Sequence, residues 1–291
     1  MTCWDELKSN MTGNMCKWLD FIESWCDGKA RYTREVGFPY RKMTTDLDRT
    51  FRQLLFFSAE MHNDTYMTVY SFRKMREIAK PSNPQRKHIP DYSTAFINKV
   101  YWELDFDHKK GGNLEDAYND WTKMCDYFDG KCRGYFTTNR GFHIYVDLVT
   151  SITKQQLIDY TTFIIDGLGI QTADRGFIGD TARIMRIPYF PHSKTKRFIL
   201  PVTRNMSFQY MLENSKTCYI PEVIKKQPIS IPPEVFEKLE AKRIADTTNT
   251  KKVGEGEKKV ENDSGLQQVV EKRGNTITVT LGERSQISGE P

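Results

Sequence analysis

Apolar residues follow two different spacings along this chain, and together they predict a protein of α/β (α+β) class. A spacing of two is typical of strands, and a spacing of three or four is typical of helices. We expect helices over residues 1–30, 44–57, 114–128, 154–167 and 234–245, and strands over residues 65–72, 100–107, 133–138, 142–148, 182–187 and 197–202.

Short polar signals mark where several of these elements begin or turn. Asn113, followed by Asp116 three residues later, can cap one helix. Thr153 to Gln156 has the spacing of a capping box for another helix. Residues 139–141, Asn-Arg-Gly, predict a hairpin turn between two short strands.

The pattern also divides the chain into three parts. We expect an N-terminal helical segment over residues 1–30, a main α/β domain over residues 31–245, and a flexible linker and tail over residues 246–291. The linker is polar, charged and nearly free of large apolar residues. Residues 276–281 have strand character but little to pack against, so a disordered tail is the favoured interpretation and a strand is the alternative.

Charge is unevenly distributed, although the net charge of the 291 residues is only +5. Residues 31–90 hold 12 Lys or Arg against 6 Asp or Glu, and residues 182–205 hold 6 basic residues and no acidic one. Such clusters favour a polyanionic partner. Solvated basic faces are the alternative.

The six cysteines show no Cys-x-x-Cys spacing, so we expect buried free thiols rather than a zinc site. No secretory signal opens the chain, and no apolar run reaches membrane length. We therefore expect a soluble, intracellular, cytoplasmic protein with reduced cysteines and no membrane partner.

Two aspartates at the end of the strand over residues 100–107 are the first candidates for chemistry. Side chains alternate across a strand, so Asp105 and Asp107 project from the same face. Aligned carboxylates need neutralisation, which two divalent cations would provide. A solvated strand end is the alternative, and Glu103, two residues earlier on that face, is left out of the predicted site.

Two further segments carry groups that bind anions. Residues 137–143 form a glycine-containing turn with Arg140 in it and His143 at its end, which suits an anion. His143 could equally be a core histidine. Residues 180–195 offer a third carboxylate and more basic groups; two arginines in one apolar strand could also be structural ion pairs. The candidates there are Asp180, Arg183, Arg186, His192 and Lys194.

This inventory is typical of a nucleotidyltransferase. Carboxylates hold two Mg²⁺ or Mn²⁺ ions, which bridge a triphosphate and lower the pKa of an attacking hydroxyl. Basic groups position the triphosphate and stabilise the charge of the transition state. A phosphohydrolase would fit the same residue types.

The order of the motifs resembles the archaeo-eukaryotic primase superfamily, most closely the catalytic small subunit of archaeal DNA primase and plasmid or viral primase-polymerases. The resemblance covers about residues 31–202. It rests on Arg34-Glu-Val-Gly-Phe38, Asp105-Phe-Asp107, Thr137-Thr-Asn-Arg-Gly-Phe-His143, Asp180-Thr-Ala-Arg-Ile-Met-Arg-Ile-Pro188 and His192-Ser-Lys-Thr195.

The resemblance implies a primase fold, with an RRM-like mixed sheet that holds the site and an N-terminal α/β unit. It implies that Asp105, Asp107 and Asp180 bind two metal ions. The residues implied to bind or line the nucleotide are Thr137, Arg140, His143, Arg183, Arg186, His192 and Lys194. Thr137 and Thr138 replace the family's Ser and Gly, Phe190, Pro191 and Lys196 depart from its third motif, and no zinc-binding module is evident.

The implied activity is primer synthesis on single-stranded DNA from NTPs or dNTPs, in archaeal or mobile-element replication. A primase large subunit or a replicative helicase is a candidate partner. Two alternatives stay open: a repair-type polymerase on the same fold, and a catalytically idle nucleic-acid-binding replication protein.

Overall fold

The computed structural model of the protein describes residues 34–37, 41–45, 66–78, 88–106, 112–137, 141–186, 195–216, 227–253, 267–273 and 276–282. The predicted helix over residues 1–30 and most of the one over residues 44–57 lie outside them. Four predicted site residues also lie outside them: Asp107, Arg140, His192 and Lys194.

The described residues form α-helices and antiparallel sheets, which confirms the predicted α/β (α+β) class. The strands are β1 (Arg34–Gly37), β2 (Arg41–Thr45), β3 (Tyr66–Thr68), β4 (Ser71–Phe72), β5 (Met75–Glu77), β6 (His88–Pro90), β7 (Ala95–Asp105), β8 (Arg133–Phe136), β9 (Gly141–Ile152), β10 (Ile184–Arg186), β11 (Leu200–Val202), β12 (Gln267–Arg273) and β13 (Thr276–Gly282). The α-helices are α1 (Leu114–Tyr127), α2 (Lys154–Gly167), α3 (Phe208–Asn214) and α4 (Pro233–Val253).

A five-stranded antiparallel sheet forms the main layer, in the order β11-β8-β9-β7-β4. Beyond α2 the chain returns to β7: Asp105 N–H donates to Thr172 O at 2.7 Å, and Asp174 N–H donates to Glu103 O at 2.8 Å. This gives a β-α-β-β-α-β unit whose first strand, β7, lies between β9 and the returning segment 172–174. Among the described residues the one parallel pairing is a bridge between Leu148 and Ile229.

Helices α1 and α2 begin at the capping boxes that the sequence predicts. Asn113 Oδ1 accepts from Asp116 N at 3.0 Å, and Asp116 Oδ2 accepts from Asn113 N at 2.9 Å. Thr153 Oγ1 accepts from Gln156 N at 3.2 Å, and Gln156 Oε1 accepts from Thr153 N at 2.9 Å. Each box satisfies backbone N–H groups that have no partner inside the helix.

Alternation along β7 separates a core face from a polar face. Val100, Trp102 and Leu104 are buried in the same hydrophobic cluster as the inner faces of α1 and α2. The Trp121 ring of α1 stacks on Phe142 with centroids 5.8 Å apart, and it lies over Gly134, where a Cβ would come within 2.4 Å of the ring. The residues between them, including Tyr101, Glu103 and Asp105, therefore face the other side of the sheet.

A second antiparallel sheet has the order β10-β3-β1-β2. The buried Arg34 of the predicted family motif ties this sheet internally, since its Nη1 donates to Thr68 O at 2.8 Å and to Val69 O at 3.1 Å. Strands β5 and β6 form a separate hairpin. Both sheets lie in the first of two compact units, Met1–Leu239.

The second unit, Glu240–Pro291, contains the end of α4 and the antiparallel hairpin of β12 and β13. Strand β13 coincides with the stretch of predicted strand character. The domain boundaries proposed from composition stay predictions. Within the described part of the chain, no helix combines the length and the apolar character that a membrane span requires.

Several elements differ from the sequence prediction, and β1, β5, β6 and β12 had no predicted counterpart. The strand over residues 65–72 is divided into β3 and β4, which lie in different sheets; at the bend, Val69 N–H donates to Arg183 O at 2.9 Å. Residues 44 and 45 belong to β2 instead of starting a helix. Helix α4 continues to Val253, eight residues past the predicted end, through a polar stretch without apolar periodicity. The short α3 had no predicted counterpart, although Ser207 caps it by accepting from Tyr210 N.

Cys125 and Cys132 confirm the prediction of buried free thiols. The Cys132 thiol donates to Cys125 Sγ at 3.3 Å. Burial first, and then contact with Cys132, raises the pKa of the Cys125 thiol far above its ordinary value. A thiol that stays protonated is a poor nucleophile and a poor metal ligand. The other four cysteines lie outside the described residues.

Candidate active site

Strand β7 ends where β9 begins, and this edge of the main sheet carries the first predicted site residue. Asp105 pairs with Gly141, and Glu103 pairs with His143. The backbone of Asp105 is also fixed from the other side, because its N–H donates to Thr172 O. Asp105 thus lies on a strand that has a neighbour on each side. Asp107 follows two residues later in the sequence.

Asp120 of α1 holds the segment that fixes Asp105. It is buried, and its Oδ2 accepts from Gln171 N at 2.8 Å, Thr172 N at 2.9 Å and Thr172 Oγ1 at 2.9 Å. Lys123 Nζ donates to Oδ1 at 2.8 Å. Sequence reasoning missed Asp120, although its place three residues after the buried Ala117 puts it on the apolar stripe of α1, where an acid requires partners.

Thr137 closes the turn that precedes β9. Its N–H and its hydroxyl donate to Gly141 O at 2.9 and 3.0 Å, and its Oγ1 accepts from Gly141 N at 3.3 Å. The hydroxyl therefore ties the end of β8 to the start of β9, while a contact with nucleotide stays a prediction. Gly141 is required by close approach, because a Cβ there would lie 1.9 Å from Leu104 O.

His143 lies on β9 opposite Glu103, with Nε2 and Oε1 3.7 Å apart. Its ring meets Tyr101 edge-on at a centroid distance of 5.6 Å. The side chain is buried, and within the described residues its Nδ1 has no hydrogen-bond partner. The orientation towards Glu103 places His143 on the polar face of the sheet and not in the apolar cluster.

Glu103, which the sequence analysis left out, joins this strand pair to the third predicted segment. Its Oε2 accepts from Arg183 Nε at 3.0 Å and also from Arg183 Nη2. Burial would raise the pKa of Glu103, but the contacts with His143 and Arg183 outweigh it and lower the pKa to about 2. Glu103 is therefore ionised throughout the neutral range. The signal that could have identified it is the period of two that it shares with Asp105.

The two arginines of the third segment have different partners. The Arg183 guanidinium also stacks on Phe177, with Cζ 3.3 Å from the ring centroid. Arg186 is buried, and its Nη2 donates to Thr137 O at 3.0 Å. Arg183 thus contacts β7 and Arg186 contacts the end of β8. These contacts support the structural ion-pair alternative for Arg183, and a role for either residue in nucleotide binding stays a prediction.

Asp180 lies in the turn before β10, directly upstream of Arg183. Its Oδ1 accepts from Ala182 N at 2.9 Å, and its backbone carbonyl accepts from Arg183 N at 3.2 Å. The charge of Asp180 also contributes to raising the pKa of Arg183, after burial, which lowers it, and the larger effect of Glu103. Asp180 therefore belongs to the same charged neighbourhood as Glu103.

Carboxylate oxygens are the ligands that Mg²⁺ and Mn²⁺ prefer, so Asp105 and Asp180 have suitable chemistry for these ions. Across the described ranges, no three acidic, histidine or cysteine side chains gather as a metal-binding group. The predicted set of three includes Asp107, which lies outside those ranges. Metal binding is consequently a proposal that rests on the donor chemistry and on the position of Asp105.

No family model matches the chain, and no curated protein matches it. Among solved structures, it is similar to the AEP domain of the primase-polymerase (PrimPol) of cyanophage S-2L. The identity is 16%, the TM-score is 0.42, and the match covers 69% of this chain and 97% of that domain. A likeness of this size assigns no activity, which the residues of the site have to support by themselves.

Proposed function

We propose that this chain is a nucleotidyltransferase of primase-polymerase type, which synthesises short primers on single-stranded DNA from NTPs or dNTPs. One observation carries the proposal: three segments that are far apart in sequence meet at one edge of the main sheet. Asp105 of the first pairs with Gly141 of the second. Arg183 of the third binds Glu103 beside Asp105, and Arg186 binds Thr137 in the turn.

This convergence supports the resemblance because the three motifs would have to share a site in order to act together. Random matches to short motifs would fall on unrelated faces of a protein. Here, two independent contacts attach the Asp180–Arg186 segment to the other two motifs. Such an arrangement would bring carboxylates and phosphate-binding groups within reach of one ligand, which is the requirement for phosphoryl or nucleotidyl transfer.

In the proposed site, Asp105, Asp107 and Asp180 would hold two Mg²⁺ or Mn²⁺ ions. When bound, such ions neutralise the triphosphate and lower the pKa of the attacking 3′-hydroxyl. The chain itself would bind and orient the nucleotide. Arg140, His143, His192 and Lys194 would contact its phosphates, and Thr137 would keep the turn in shape for them.

The template would be single-stranded DNA, attracted by the basic segments of the chain. A partner that unwinds or loads DNA, such as a replicative helicase or a primase large subunit, is part of the proposal. Both NTPs and dNTPs are proposed substrates.

The test is primer synthesis by the full chain on unprimed single-stranded DNA with Mn²⁺ or Mg²⁺ and labelled NTPs or dNTPs. We expect short products from the wild type and none from the Asp105→Ala/Asp107→Ala variant. The exposed pair Glu115 and Glu213, replaced together by Ala, is the matched control and should keep full activity. Equal amounts of product from the wild type and the double aspartate variant would refute the assignment of these aspartates as metal ligands.

A primed template separates the remaining outcomes. Extension without priming would favour the repair-type polymerase alternative. If the wild type binds single-stranded DNA but forms no product on primed or unprimed templates, this favours the catalytically idle binding protein or a missing partner subunit, and the proposal fails for the chain alone.

A further inference from the structure

Glu103 is the side chain on which two separate parts of the candidate site converge. One carboxylate oxygen, Oε2, accepts two N–H groups from Arg183 in the segment before β10. The other, Oε1, lies 3.7 Å from Nε2 of His143 on β9. Both oxygens are thus directed at basic groups, each carried by a different element of the fold.

The contacts of Glu103 with Arg183 and His143 are largely shielded from water, so each one matters for the position of its side chain. The side chains of Glu103 and Arg183 are only 14% and 21% exposed, and that of His143 is 11% exposed. The charge of Arg183 in such a place requires a counter-charge, because removing one partner of a buried pair leaves the other unsatisfied. Without Glu103, Arg183 would gain by moving towards water, and His143 would lose the carboxylate beside its Nε2.

Arg183 keeps hydrogen-bonding capacity after it has bound Glu103. A guanidinium has five N–H donors, and Glu103 accepts from Nε and Nη2. Phe177 covers one face of the group, with Cζ 3.3 Å from the ring centroid. Glu103 and Phe177 together therefore fix the plane of the guanidinium, and Glu103 uses only two of its five donors.

Glu103 also stands two residues before Asp105 on the same face of β7. The position of Asp105 and the positions of the two basic groups are therefore set by one short piece of strand. A change in the Glu103 side chain would move the basic groups relative to the carboxylate without changing the backbone that carries it.

We propose that Glu103 is a positioning residue of the nucleotide site: it holds Arg183 and His143 where they face the phosphates of the incoming nucleotide, and it is not a metal ligand. The inference rests on the proposed function. It predicts that replacing Glu103 weakens nucleotide binding. Only replacement of the aspartates should change the dependence of activity on metal.

The experiment compares three variants of the full chain in primer extension: Glu103→Gln, Asp105→Asn and, as the matched control, Glu115→Gln. For Glu103→Gln we expect the KM for the nucleotide to rise about tenfold, because a hydrogen-bonded charge is lost. Its kcat should change little, and the Mn²⁺ concentration for half-maximal activity should stay as in the wild type. Asp105→Asn should remove activity, and Glu115→Gln should change nothing.

A double-variant cycle shows whether Glu103 acts through Arg183. If it does, the combined Glu103→Gln/Arg183→Gln variant should raise the KM no further than the larger of the two single effects. Additive single effects would overturn the proposal, and so would a raised Mn²⁺ requirement with an unchanged KM, which would make Glu103 a metal ligand.

A spectroscopic readout keeps the test independent of activity. The chain has five histidines, and a His143→Gln variant assigns the imidazole ¹⁵N signals of His143. Glu103→Gln should shift these signals, whereas Glu115→Gln should leave them unchanged; an unshifted signal would overturn the positioning of His143. If the wild type has no polymerase activity while the signals do shift, the proposed function fails and the contact itself is confirmed.

Discussion

Two clusters lie on the polar face of the same sheet, and each pairs an arginine with an acidic residue. They differ in how completely protein atoms shield them from solvent. In the inner cluster, Arg133 and Asp147 form an ion pair at 2.7 Å, with side chains only 3% and 6% exposed. At the candidate site, the side chains of Arg183 and Glu103 are 21% and 14% exposed. The same ion-pair chemistry thus occurs once in the interior and once at an edge.

The inner cluster is also closed by aromatic side chains. The Arg133 guanidinium lies over the Tyr145 ring at 4.3 Å, and the Tyr145 hydroxyl donates to that of Tyr135 at 2.6 Å. A closed cluster of this kind has no surface for a ligand and serves the fold. The edge cluster keeps N–H donors at a partly open position, so only that cluster combines charge with access.

The largest decrease in the free energy of unfolding is expected from breaking the Arg133–Asp147 pair of the inner cluster. Asp147→Ala leaves the Arg133 charge buried beside an apolar methyl group, so the free energy of unfolding should fall by about 3–5 kcal/mol. Urea unfolding followed by circular dichroism measures it. Replacing both partners, as Arg133→Met/Asp147→Leu, should recover most of the loss. A decrease below about 1 kcal/mol for Asp147→Ala would mean that the inner pair is not structural.

A smaller decrease in the free energy of unfolding should follow when Asp120, which holds segment 171–172 beside the edge cluster, is replaced. Asp120→Ala leaves the N–H groups of Gln171 and Thr172 without their acceptor, at a cost of about 2–3 kcal/mol in the free energy of unfolding. Asp120→Asn keeps an acceptor oxygen and should cost less than half as much. Hydrogen exchange of the Asp105 amide should accelerate in the Ala variant; equal exchange in both variants would contradict the link from Asp120 to the site.

The edge itself can be tested by filling the space at Gly141. In Gly141→Ala, the new Cβ would meet Leu104 O, so the turn and β7 must separate at a cost of about 1–3 kcal/mol. Activity should suffer more than stability, since a displacement of about 1 Å can reduce a rate about 100-fold. Nucleotide incorporation and urea unfolding are measured on the same sample. Gly167→Ala, where a Cβ meets nothing within 4 Å, is the control.

The smallest effect on stability is expected from a third ion pair, whose side chains are 45% and 62% exposed. Arg204 binds Asp126 through Nε at 2.7 Å and Nη2 at 3.2 Å, and both residues are exposed. Arg204→Ala should leave the midpoint of thermal unfolding and the nucleotide incorporation unchanged. A clear decrease in the midpoint would show that exposure does not rank these three pairs.

The sequence predicts those features that depend on neighbours along the chain. The capping residues Asn113 and Thr153, a strand that carries Asp105 and the antiparallel neighbours β8 and β9 all follow from local spacing. It does not predict the partners of Glu103, Asp120 or Asp147, because each is an acid whose role depends on a residue distant in sequence. The division of residues 65–72 between two sheets has the same cause, since alternation does not identify the neighbouring strand.

The backbone of Asp105 has a neighbour on each side: it pairs in register with Gly141 of β9, and its N–H donates to Thr172 O of segment 172–174. Exchanging the carboxylate would therefore alter the chemistry of this position without loosening the chain around it. For protein engineering, this means that the backbone at the end of β7 keeps its position when its side chains are changed. Its side chains can be varied to retune ion preference or to obtain an inert but folded partner-binding variant.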